Sequence, residues 1–327
     1  MQLLRFAALV ALFCLSGMPA HAAGFTFLQV PADADGPALR GAVWYPCDAA
    51  AAAAASPAPL ALGPLITLQV AKDCPIQSGK WPLIVISHGA GGSFLGHRDT
   101  AAALADAGFV VAAISHSGDN FEDMSRHRDL SVFISRPMDM KRLVDYLLRV
   151  WPERIAPAQI GFFGFSRGGY TGLVLAGAVP DFRSGLTWCE KNSTVPMCVQ
   201  ARRNELPVAP PVRDERIKAA VIADPLSFFN DAQVLKDVKI PIQLWASERG
   251  GDGVMPARVE AVRRGLPSPP DFRVPADSAH FAFLAPCSEA MAKVLPEICN
   301  DAGGFDRVAF HEKLNAEAIA FFRQQLR

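Results

Sequence analysis

Gln159-Ile160-Gly161-Phe162-Phe163-Gly164-Phe165-Ser166-Arg167-Gly168-Gly169 is the stretch from which the fold of this 327-residue chain is read. Ile160 to Phe163 is a short apolar run of β-strand composition. It runs into Gly164-x-Ser166-x-Gly168, and an Ala/Leu-rich helical pattern begins near Tyr170. Strand, sharp turn and helix in that order raise a serine hydroxyl above the end of a sheet, with glycines where a Cβ would strike neighbouring backbone. Ser166 is therefore the candidate nucleophile. The pentapeptide alone is a weak signal, so the rest of the chain has to supply its partners.

Working outward, apolar strand-like runs alternate with helical patterns. Phe25 to Val30 and Leu39 to Tyr45 read as an antiparallel pair. Pro82 to Ser87, Phe109 to Ser115, Ile217 to Ala223, Ile240 to Ala246 and a short run near Phe272 read as further strands. Thr100 to Ala107, Pro137 to Val150 and Phe305 to Leu326 carry helical patterns. This alternation predicts an α/β domain with a mostly parallel central sheet and helices on both faces, catalytic groups collecting at the carboxyl ends of the strands. An Ala/Pro-rich tract after Cys47, ending near Pro64, reads as a surface excursion. The Pro-rich, charged stretch of about residues 180–213 reads as an insertion where a cap over the pocket would sit.

Lys plus Arg and Asp plus Glu both number 32, giving a formal net charge of zero with no block of like charge. That composition offers no electrostatic attraction for nucleic acid or an anionic membrane, and points to a small neutral partner. Residues 1–22 combine one basic residue (Arg5), a short apolar run and Ala20-His21-Ala22. This is the pattern of a secretory signal peptide, predicting cleavage after Ala22 and a mature domain of residues 23–327 in the periplasm or outside the cell, without stable membrane insertion. Cys47, Cys74, Cys189, Cys198, Cys287 and Cys299 remain after cleavage. Nearest-neighbour disulfides are the simplest pairing, with free buried thiols the alternative. No cysteine or histidine spacing suggests a metal site, and no cofactor is expected.

A serine hydroxyl needs an adjacent base held in one tautomer by an acid. His280 follows the last short strand and lies C-terminal to every candidate acid, which gives the order Ser, acid, His. His88 reads as shaping its own loop, and His97, His116, His127 and His311 as structural or exposed. Three carboxylates compete for the acid. Asp252, in the loop after the Ile240–Ala246 strand, is preferred; Asp224, at the end of the preceding strand, is the main rival; Glu248 is third. His88-Gly89-Ala90-Gly91-Gly92-Ser93 follows an early buried strand. It lacks a Walker lysine and dinucleotide spacing, which leaves it as an oxyanion loop. The expected oxyanion donors are the backbone N–H groups of Ala90 and Arg167.

On Ser87-His88-Gly89-Ala90-Gly91-Gly92, Gly164-Phe165-Ser166-Arg167-Gly168-Gly169 and Ala279-His280-Phe281, with Arg136-Pro137-x-Asp139 and Gly304-Phe305-Asp306-Arg307 in support, the chain resembles the α/β-hydrolases grouped as predicted dienelactone hydrolases and platelet-activating-factor acetylhydrolases. The resemblance implies the α/β-hydrolase fold and a metal-independent serine hydrolase acting on small or short-acyl carboxylic esters. Dienelactone hydrolases proper carry a cysteine where this chain has Ser166, which argues against their substrate. The acetylhydrolases place the acid after the strand that follows the elbow, which favours Asp224. A lipase or polyester hydrolase is the nearest alternative, an amidase or peptidase a weaker one, and a hydrolase-fold binding protein without turnover the alternative from another class.

Overall fold

The computed structural model describes residues 23–48, 58–185, 189–190, 193–205 and 210–327. The expected signal peptide, residues 1–22, lies outside the described residues, as do 49–57 of the Ala/Pro-rich tract.

Among the described residues, ten strands form one sheet: β1 (Gly24–Val30), β2 (Leu39–Tyr45), β3 (Ala58–Ala61), β4 (Thr67–Lys72), β5 (Trp81–Ser87), β6 (Val110–Ile114), β7 (Ile155–Phe165), β8 (Ile217–Ala223), β9 (Ile242–Trp245) and β10 (Asp271–Arg273). Their spatial order is β10-β9-β8-β7-β5-β6-β2-β1-β4-β3. From β10 to β6 every pairing is parallel. β2 joins β6 and β1 antiparallel, as the N-terminal reading expects. The sequence expectation of an α/β-hydrolase-type sheet is met. The end of the Ala/Pro-rich tract differs from the surface excursion expected of it. Ala58–Ala61 pairs antiparallel with β4, which pairs parallel with β1, so two short strands extend the sheet edge. Alanine and proline carry little periodicity for a sequence reading to use, and an edge strand tolerates Pro59.

The central strands are apolar at consecutive positions because both faces of a parallel sheet are covered. Leu83, Val85, Val110, Ala112 and Phe162 face one core, which α2 (Val132–Val150) covers with Met140, Leu143, Val144 and Leu147. Ile84, Ile86, Val111, Ala113, Phe163 and Phe165 face the other. There α1 (Arg98–Asp106) contributes Leu104 and Ala105, and α6 (Arg307–Gln325) contributes Leu314, Ala318 and Phe322. Between them in sequence, α3 (Arg167–Leu175) follows β7, α4 (Pro196–Arg202) lies in the 180–213 insertion and α5 (Pro256–Gly265) follows β9. The insertion leans on the body: Met197 donates its backbone N–H to Arg128 O at 2.8 Å, and Gln200 accepts from Leu130 N at 2.9 Å while donating to Asp129 at 2.6 Å.

All three nearest-neighbour disulfides form, Cys47–Cys74, Cys189–Cys198 and Cys287–Cys299. Each closes a local loop, so the helices and strands above depend on packing for their arrangement. Phe322 is fully buried where α6 crosses Gly161 of β7. Truncating it leaves a cavity between helix and sheet: Phe322→Ala should lower the unfolding free energy by about 3–5 kcal/mol, read as a shift of the urea midpoint at constant slope.

Candidate active site

Ser166 stands between β7 and α3 with φ 56° and ψ −118°, a left-handed conformation that costs a non-glycine residue about 1–3 kcal/mol. Two glycines make the turn sterically possible. A Cβ on Gly168 would overlap the carbonyl of Ser87, and one on Gly164 the carbonyl of Gly168. The backbone of Ser166 is fixed by its N–H to Ala223 O (3.0 Å), and by its own carbonyl, which accepts from Tyr170 N (3.1 Å) and Leu226 N (3.0 Å). Arg167 opens α3, so its N–H has no carbonyl one turn earlier within the helix to bond, and the positive end of the helix dipole lies at Ser166.

The parallel register sets the acid beside the serine. Phe165 pairs with Ala223, and Ala223 with Trp245, so the next residues, Ser166, Asp224 and Ala246, emerge in one row at the sheet's carboxyl edge. Asp224 is fully buried. Its Oδ2 lies 2.6 Å from Nδ1 of His280 and accepts from Ser247 Oγ at 2.7 Å, and its Oδ1 accepts from Ser247 N at 2.8 Å. His280 opens a short 3-10 turn, His280–Phe283, and donates its backbone N–H to Gly250 O at 3.0 Å. Its ring stacks on Phe165, centroids 4.6 Å apart, next to the serine in sequence. Nε2 of His280 is buried without a hydrogen-bond partner. A proton on Nδ1 facing Asp224 leaves Nε2 as an acceptor.

The carboxylate that reaches His280 is that of Asp224, the rival, and not that of Asp252, the preferred candidate. The β9–α5 loop that carries Asp252 cradles the histidine instead. Ser247 is bonded to Asp224, Gly250 O takes the His280 N–H, and Asp252 is exposed on the tight turn that Gly251 and Val254 close by mutual hydrogen bonds. Glu248 is also exposed and caps Asp277 N at 2.7 Å, shaping the approach to His280.

Behind the His88–Ser93 loop lies a buried polar cluster, whose members the sequence reading takes separately: His88 as shaping its own loop, His116 and His127 as structural or exposed, Arg136 and Asp139 as support for the resemblance. Arg136 of α2, fully buried, donates from Nε to Asp119 Oδ2 (2.7 Å), from Nη1 to His88 O (2.7 Å) and from Nη2 to Gly89 O (2.8 Å). Asp119 also accepts from Arg167 Nη1 (3.0 Å) and Gly91 N (3.2 Å), with His127 Nδ1 2.8 Å away. Burial alone would raise the Asp119 carboxyl, but Arg136, His127 and Arg167 outweigh it and hold the group well below the ordinary carboxylate range. His116 Nδ1 lies 3.0 Å from Asp139, and its Nε2 2.9 Å from Ser87 Oγ. Burial pushes Asp139 up to about 7 and keeps both His88 and His116 neutral. One sequence signal was available: Arg136 and Asp139 interrupt the apolar stripe of α2 that includes Met140 and Leu143, and a charge on a buried stripe must have a buried partner. Among the described residues, no group of three or more His, Cys, Asp or Glu side chains could hold a metal ion.

The family described as "Platelet-activating factor acetylhydrolase, isoform II" matches residues 60–125, the segment that contains β5, the His88–Ser93 loop and β6. Among solved structures, a ferulic acid esterase from Streptomyces cinnamoneus is similar at 16% identity with a TM-score of 0.61, covering 95% of this chain and 92% of its own. No curated protein matches. The chain has the α/β-hydrolase fold.

His97 makes the site's support sensitive to acid. It is buried against Phe163 and Phe165, at centroid distances of 5.3 and 5.4 Å, and burial lowers its pKa to about 4. The unfolded chain takes up this proton near the ordinary value of 6.5, so the stabilisation is complete above that pH and is lost as pH falls towards 4. The expected loss from pH 7 to pH 5 is about 2 kcal/mol. Equilibrium unfolding of wild type and His97→Leu at both pH values checks it: the pH difference should shrink by that amount in the variant.

Proposed function

We propose that this α/β-hydrolase is a serine carboxylic ester hydrolase, with Ser166 as nucleophile, His280 as general base and acid, Asp224 as the carboxylate that orients His280, and the N–H groups of Ala90 and Arg167 as the oxyanion hole. The observation that carries the reading is the 2.6 Å contact of Asp224 with His280 Nδ1, combined with a buried, unpartnered Nε2 and a strained serine one register step away. Ser166 attacks the ester carbonyl as His280 Nε2 takes the hydroxyl proton. The two N–H groups bear the developing alkoxide. The proton passes to the leaving alcohol, and water then releases the acyl group by the same route in reverse roles.

The substrate class is a small or short-acyl ester. The partial match to a platelet-activating factor acetylhydrolase and the likeness to a ferulic acid esterase both support ester hydrolysis, and the second makes hydroxycinnamate esters worth including in a substrate series. The protein acts outside the reducing cytoplasm: three disulfides support an exported chain. No described helix is long and apolar enough to cross a membrane.

The test is an acyl series of p-nitrophenyl esters together with methyl ferulate. Ser166→Ala should lose at least about 10⁴-fold in kcat and Asp224→Asn about 10³- to 10⁴-fold. Asp252→Asn should stay within about twofold of wild type, the size of effect expected for a solvent-facing turn residue. Labelling by a fluorophosphonate should map to Ser166. Undiminished activity in Ser166→Ala, or a larger loss in Asp252→Asn than in Asp224→Asn, contradicts the assignment.

A further inference from the structure

We infer that Arg136 is a positioning residue for the oxyanion hole: its buried guanidinium fixes the peptide planes of the His88–Ala90 loop so that the Ala90 N–H is turned away from α2, on the side of the Ser166 elbow. The inference rests on the functional reading above and adds a residue to it.

In a trans peptide the carbonyl and the N–H of the same plane point in opposite directions, and the described chain has no cis peptide. The carbonyl of Gly89 shares its plane with Ala90 N–H, and that of His88 with Gly89 N–H. Both carbonyls are turned inward onto Arg136, at 2.8 and 2.7 Å. The partner N–H groups must then point the other way, away from α2. The Gly89 side lies over the elbow, since a Cβ on Gly89 would come within 3.2 Å of the Ser166 Cβ.

Two further contacts hold the same carbonyl. His88 Nε2 accepts from His116 N at 3.1 Å, so in the neutral ring the proton sits on Nδ1, which donates to Gly89 O at 2.6 Å. Gly92 N reaches that oxygen at 3.3 Å. Arg136 is itself held by Asp119, which also takes the N–H of Gly91 and the side chain of Arg167, so both halves of the proposed oxyanion hole are tied to one carboxylate. A glycine-containing loop has many accessible conformations. A cation on its inner carbonyls selects one, and by polarising the Gly89–Ala90 amide makes its N–H a stronger donor.

The role predicts a kinetic signature that a merely structural residue would not give. Arg136→Met should lower kcat about 10²- to 10³-fold, the effect of one lost oxyanion donor, with KM within about threefold. The same variant should lose a comparable factor in affinity for an alkyl boronic acid, which mimics the tetrahedral adduct, while binding of an unreactive ether analogue is unchanged. Arg136→Lys should recover part of the loss, because an ammonium cannot reproduce the fork that spans two carbonyls and a carboxylate. Asp119→Asn is made alongside, because it weakens the hold on the guanidinium without removing it; it should reduce kcat about tenfold at constant KM, and it decides the matter if Arg136→Met does not fold. Unchanged kcat in a folded Arg136→Met, or in Asp119→Asn where that variant decides, overturns the inference, as does a rise in KM that accounts for the whole loss. Failure of the functional reading looks different: wild type itself would then show no esterase activity and no phosphonate label on Ser166.

Discussion

The parallel register of β7 against β8 is the constraint on which the site depends. Phe165 opposite Ala223 means that the strands end level, and the N–H of Ser166 crosses to Ala223 O before the chain turns into α3. Ser166, the proposed nucleophile, and the Asp224 carboxylate thereby leave neighbouring strands side by side, on backbone held by sheet hydrogen bonds and two packed faces. His280 comes from a separate segment, the 3-10 turn His280–Phe283, and is held by the Gly250 carbonyl, the Phe165 ring and Asp224 itself. One slipped residue in this ladder would reverse the face of every side chain beyond it.

Legibility followed the strength of the local signal. The central strands and the serine elbow were readable because buried parallel strands are continuously apolar and because Gly164 and Gly168 answer a steric demand made by their own turn. His280 was readable from chain order. The choice between Asp224 and Asp252 was not, because both follow a strand and both can reach a common histidine along the sheet edge. What separates them is how the β9–α5 loop folds back, with Ser247 bonded to Asp224 and Asp252 left on an exposed turn, and this depends on contacts between segments far apart in sequence. The acetylhydrolase resemblance favours Asp224, the carboxylate that the fold brings to His280. β3 was missed for a different reason: Ala58–Ala61 has no pattern of its own and becomes a strand by pairing with β4.

The polar cluster around Arg136 and Asp119 shows what the apolar core alone cannot do. Burying a guanidinium and a carboxylate is costly unless each is fully bonded, and here the bonds go to the loop that carries one proposed oxyanion donor, Ala90, and to the side chain of Arg167, the other. Neutral His88 and His116 extend the cluster towards β5 and α2 without adding charge. Rigidity at the proposed reacting atoms is thus supplied from behind the site.

A crystal structure of the protein after reaction with a short alkyl phosphonate tests the central claim most directly, since the adduct resembles the tetrahedral intermediate. The account predicts phosphorus bonded to Ser166 Oγ, the phosphonyl oxygen within about 2.7–3.1 Å of both the Ala90 and Arg167 N–H groups, and His280 Nδ1 still on Asp224. A phosphonyl oxygen directed away from the His88–Ser93 loop, or an adduct formed on another residue, would contradict it.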